Sequence, residues 1–215
     1  MKNVLRSLIA LGLLWGVAAH AGVIYENSAN VNIAVFSDPN TPQFIADDFS
    51  LRPGLNSITG LRWTGVYASD TPTAPDNFRI QLFGDVAGAT PIISWFIGDP
   101  GRTDTGIDIF SDDLFSYSVT VPPIILAPDT TFWLSIVNDT SADLISNWAW
   151  GSQVFDFGDG GIAVRTSENS PWFLSLGFAQ DFTISGPVAI PEPEAIVLLA
   201  LGLLGLLRYR RLQQS

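Results

Sequence analysis

The chain has 215 residues with a formal charge of −11, no cysteine and a single histidine, His20. With neither thiol nor imidazole beyond residue 20, Ser-His-Asp and Cys-His catalysis and the usual structural zinc sites lack their ligands. Between residues 22 and 190 nineteen Asp and Glu stand against five Arg and no Lys, a charge of −14 that a phosphate backbone repels, so nucleic acid is excluded as a partner.

Residues 1–21 have the three parts of an export signal: Lys2 and Arg6, an apolar run over 8–18, and the small-residue exit Ala19-His20-Ala21. The run is apolar all round and too short to span a membrane, which predicts an N-terminal signal helix. Cleavage after Ala21 would leave a mature chain starting at Gly22.

The next 169 residues, 22–190, read as strand after strand. Residues 77–85 set Phe78, Ile80 and Leu82 against Arg79, Gln81 and Phe83. Residues 114–121 and 131–137 alternate in the same way, the period of a half-buried strand. Further strands are expected over 31–36, 44–51, 58–67, 92–97, 144–150, 162–166, 172–178 and 182–185. Turn formers separate them, among them Pro39-Asn40, Pro53-Gly54, Asn138-Asp139 and Gly158-Asp159-Gly160-Gly161. No helical period is sustained over ten residues. The prediction is one all-β domain, an antiparallel two-sheet sandwich of jelly-roll-like kind.

At the other end Pro191-Glu192-Pro193-Glu194 leads into residues 195–207, which carry no polar side chain, and then into Arg208-Tyr209-Arg210-Arg211. As a helix this apolar run spans roughly 20 Å against about 30 Å of hydrocarbon. It predicts a short C-terminal transmembrane helix with its arginines on the cytoplasmic side and the acidic body outside.

That order of elements resembles the PEP-CTERM sorting signal of exported proteins of Gram-negative bacteria. The resemblance implies an exosortase-type membrane protease as partner, recognising Pro191, Glu192 and Pro193 and removing the tail 191–215. It also implies a transient inner-membrane anchor at 195–207, with Arg208, Arg210 and Arg211 as retention charges. The setting would be a bacterium that makes exopolysaccharide, and the destination the cell surface or the extracellular matrix. Glu194 departs from the small residue usual after the motif. The body resembles ectodomains often carried by such proteins, at Ala46-Asp47-Asp48-Phe49, residues 58–63, residues 131–136 and Trp148-Ala149-Trp150. This implies a β-sandwich without an established activity.

Candidate chemistry within the body is sparse. Asp104-Thr105-Gly106 has the tripeptide of aspartic proteases, but in one copy with a polar approach, so a surface turn is expected. The doublets Asp47-Asp48 and Asp112-Asp113 cannot each flank one bond, because strand neighbours point to opposite faces. Asp99, Asp104, Asp108, Asp112 and Asp113 crowd residues 98–113, an oxygen-rich loop that either is simply solvated or binds calcium with Asp156 or Asp159 nearby. No other cofactor is expected. Trp148 and Trp150, two apart, would share one face of a strand. They form either a sugar-binding platform edged by Asn147 and Gln153 or part of the core, and the core is favoured because tryptophan buries a large area. Asn138-Asp139-Thr140 has the form of a glycosylation sequon and is read as a turn.

The expected function is therefore non-enzymatic, an exported structural or adhesive protein of an exopolysaccharide layer. A carbohydrate-binding module is the second reading. A glycoside hydrolase is the third.

Overall fold

The computed structural model describes residues 20–27, 30–69, 74–88, 90–142, 146–154 and 161–188. Its strands form a compact unit, Ala21–Pro187. The expected signal helix and C-terminal helix lie outside the described residues.

In chain order the strands are β1 His20–Asn27, β2 Ile33–Phe36, β3 Phe44–Ser50, β4 Ser57–Ala68, β5 Phe78–Phe83, β6 Ile93–Gly98 and β7 Thr103–Ile109. They continue with β8 Asp112–Ile125, β9 Thr131–Asn138, β10 Asn147–Val154, β11 Gly161–Arg165, β12 Phe173–Leu176, β13 Phe178–Gln180 and β14 Phe182–Val188. Two sheets result. The first runs β1-β14-β4-β10-β13, with β2 added on β10, β8 on β4 and β7 on β8; the second runs β12-β11-β3-β9-β5-β6. The registered pairings are antiparallel in both. Among the described residues the architecture is the expected all-β one.

Aromatic rings join the sheets. Phe78, from the second sheet, inserts among three rings of the first, with centroids 5.1 Å from Trp63, 4.8 Å from Tyr117 and 5.1 Å from Trp148. All three contacts are edge-on, the arrangement that sets a positive ring edge on a negative ring face and adds about 0.5–1.5 kcal/mol to the area buried. Phe49 and Phe182 repeat the theme at 6.2 Å on another part of the interface.

This packing needs Gly65 on β4. A Cβ there would sit 2.4 Å from Nε1 of the Trp148 indole. Gly65→Ala is expected to destabilise the fold by about 2 kcal/mol, because a ring locked on both sides has nowhere to move. The midpoint of urea unfolding checks this, and an unchanged midpoint contradicts it.

Four expectations are corrected. Residues 98–113 are not a loop, since β7 occupies Thr103–Ile109 and pairs with β8, which begins at Asp112. The expected strand 172–178 is two: at Gly177, with φ of +91°, the chain leaves β12 in one sheet and enters β13 in the other. Residues 20–27, where no strand was expected, form β1. Finally, β8 runs on through Pro122 and Pro123, and its pairing with β4 shifts register between Ile58 and Gly60. A bulge leaves backbone N–H groups unpaired, so prolines are tolerated there.

Candidate functional site

The second sheet has an outward face as well as a core face. Across it the registers align one row of side chains, with Phe96 opposite Arg79, Arg79 opposite Val137, and Phe44 opposite Arg165. The connection from β11 to β12 folds over the middle of this face. Arg165, only 1% exposed, holds it there. Its guanidinium donates to the backbone oxygen of Glu168 at 2.7 Å and to Oε1 of Gln81 at 3.3 Å. It lies 4.3 Å from the ring centroid of Trp172, 5.4 Å from that of Phe83 and 5.5 Å from that of Phe44.

With the connection fixed, the Glu168 carboxylate reaches Nη1 of Arg79 at 2.5 Å. A cavity of about 90 Å³ opens beside this ion pair, lined also by Asn77, Asp139, Pro39 and Phe96. Among the described residues Phe96, 82% exposed, is the most exposed of the large apolar side chains. Arg79 Nε is buried and has no hydrogen-bond partner. Here an aromatic face and two carboxylates come together beside an ion pair. Sequence reading passed over Phe96, although it breaks the alternation of β6 by placing an aromatic on the phase opposite Trp95.

The residues singled out in the sequence are placed as follows. Trp148 and Trp150 are both 0% exposed. They lie in the core, the alternative favoured over a sugar platform, with the rings of Phe78 and Tyr117 packed on Trp148 and that of Phe182 on Trp150. Asp99 and Asp104 cap their own turns, accepting at 2.8 Å from the N–H of Gly101 and of Gly106. Asp108 stands opposite Asp113 across the β7–β8 pairing. Among the described residues no group of three or more His, Cys, Asp or Glu is disposed to hold a metal ion. Asp156 and Asp159 lie outside the described residues, as do Ala19, Pro191, Glu192, Pro193, Arg208, Arg210 and Arg211. Ala21 is exposed on β1. Asn138 is no surface turn; fully buried, it ends β9 and donates to Tyr67 Oη at 3.0 Å and to Asp76 Oδ1 at 2.8 Å.

Three buried carboxylates have structural partners. Asp38 accepts from the backbone N–H of Trp148 at 3.0 Å and from that of Asn40 at 2.9 Å, and from the hydroxyl of Thr140. Asp76 accepts from the Tyr67 hydroxyl and faces Nε of Arg102 at 3.5 Å, and burial pushes its pKa up. Asp47, from the second sheet, accepts the Gln180 N–H of the first at 2.7 Å and the Asn27 amide of β1 at 3.1 Å. Burial pushes Asp47 up to about 7. Desolvation, then the charges of Asp47 and Asp48, push the Tyr25 phenol up to about 12.

The described body is all-β. The tail is more specific: residues 189–211 match the family model of the PEP-CTERM protein-sorting motif. The chain thus carries the sorting signal of an exported, membrane-anchored precursor that an exosortase processes for the surface or the extracellular space. Comparison with curated proteins and with solved structures returns no match.

Proposed function

We propose that the body is a non-enzymatic adhesive domain of an exopolysaccharide layer, carried to the inner membrane, released from its tail by an exosortase-type protease, and retained at the surface or in the matrix. The observation that carries this reading is the sorting motif at residues 189–211, which begins directly after β14. The most buried carboxylates of the body serve the fold. A glycosidase needs two carboxyl groups free to act on one bond from roughly 5–10 Å apart. Here Asp38, Asp47 and Asp76 are all buried, and each is engaged in tying strands together.

The C-terminal mass of the protein recovered from the surface of its native host tests the sorting step. It is expected to show a chain ending before residue 195. A surface form that still runs to Ser215 overturns the reading. For the adhesive role, cells lacking the protein are expected to lose cohesion of their matrix; unchanged cohesion counts against it.

A further inference from the structure

We infer that the cavity between Phe96 and the Arg79–Glu168 ion pair is a binding site for a neutral saccharide, its ring stacked on Phe96; this rests on the adhesive reading above. The floor of the site is a sheet, and one wall is a connection anchored by a buried arginine, so the groups facing the ligand are held before it arrives. Such preorganisation lowers the ordering entropy of binding.

The chemistry selects the ligand class. A sugar ring offers an apolar C–H face and a rim of hydroxyls. Phe96, 82% exposed, matches the face, and a ring stacked on it would remove apolar area from water. Beside it, Glu168, with its side chain 53% exposed, and Asp139 can accept from hydroxyls. The one positive charge is already paired with Glu168, Asp139 adds a negative one, and the whole body carries −14. A uronate, sulfate or phosphate would meet net repulsion here. A neutral hexose does not. At about 90 Å³ the cavity is far smaller than one that encloses a ligand, so it grips a single ring of a polysaccharide and leaves the rest outside.

The test uses the full chain in detergent, titrated calorimetrically with cellohexaose, mannohexaose and hexagalacturonate. A neutral hexaose is expected to bind saturably and hexagalacturonate not to. Phe96→Ala is expected to weaken binding by about tenfold or more, and Phe96→Trp to stay within about threefold of the parent, the range a stacking contact supplies. An unchanged melting temperature in both variants separates lost binding from lost fold, since Phe96 is exposed. The inference is overturned if neither neutral hexaose binds, if Phe96→Ala binds as the parent does, or if hexagalacturonate binds more tightly. Reducing ends appearing during the titration would instead retain the site and defeat the non-enzymatic reading. Absent binding in a protein that still holds its matrix together would defeat the site alone.

Discussion

Moving the full chain from about pH 5 to about pH 8 is expected to lower its unfolding free energy by about 2–3 kcal/mol, with Asp47 the principal cause. The Asp47 carboxyl has its pKa raised from 3.8 to about 7 by burial between the sheets. Between these values the folded chain keeps a proton that the unfolded chain has released. The stabilisation is therefore complete below the lower value, falls as the pH climbs, and is gone above the upper one. The full window is worth roughly 4 kcal/mol at 1.36 kcal/mol per pH unit. Asp48, Asp76 and Asp181 are each raised, chiefly by burial, and act with the same sign. Self-repulsion of a body at −14 grows in the same direction.

Asp47→Asn separates Asp47 from the rest. With its amide oxygen kept on Asn27 and Gln180, its N–H₂ would confront the Asp48 N–H that now meets Oδ1. A loss of about 2 kcal/mol at pH 5 is expected, together with a flatter pH profile. Stability that is level or rises with pH in the parent, or a variant that keeps the parent slope, contradicts the assignment.

How far the sequence could be read follows from which signals are local. Alternation over 77–83 and 131–137 located β5 and β9, because a strand with one face on a core has period two. The same rule failed on β7. Its hairpin with β8 turns at Phe110-Ser111, whose φ angles are +55° and +76°, where Asn-Gly would ordinarily announce the turn. Phe178, read as the end of one strand, starts another in the opposite sheet. The crossover depends on one glycine angle, which the pattern of side chains does not encode. Trp148 and Trp150 were rightly put on one strand face, but whether that face is wet or dry depends on Phe78, Tyr117 and Phe182, up to 70 residues distant. The site at Phe96 was hidden for a related reason. It exists only because the β11–β12 connection crosses the sheet, and that path is fixed by an arginine that composition alone would have placed in solvent.

Removing that arginine is accordingly expected to have the largest effect of any single charge deletion: Arg165→Ala should destabilise the fold by about 4 kcal/mol. The side chain is sandwiched by Trp172, Phe83 and Phe44 and fills the space between the outer sheet face and its covering segment. Truncation leaves a cavity ringed by aromatic faces that cannot collapse, and an unpaired Gln81 carbonyl beneath it. Arg165→Met keeps most of the volume and the apolar contact while avoiding a buried charge, so about half the loss is expected. The guanidinium also ties down the Glu168 backbone. Either variant should therefore loosen the Arg79–Glu168 pair, and with it any saccharide affinity at Phe96, although Phe96 itself is untouched. Urea unfolding of the parent and both variants measures the first effect, and calorimetry with a neutral hexaose the second. An Arg165→Ala protein within about 1 kcal/mol of the parent would mean that the segment is held by Trp172 alone, its ring packed edge-on at 5.4 Å against Phe83.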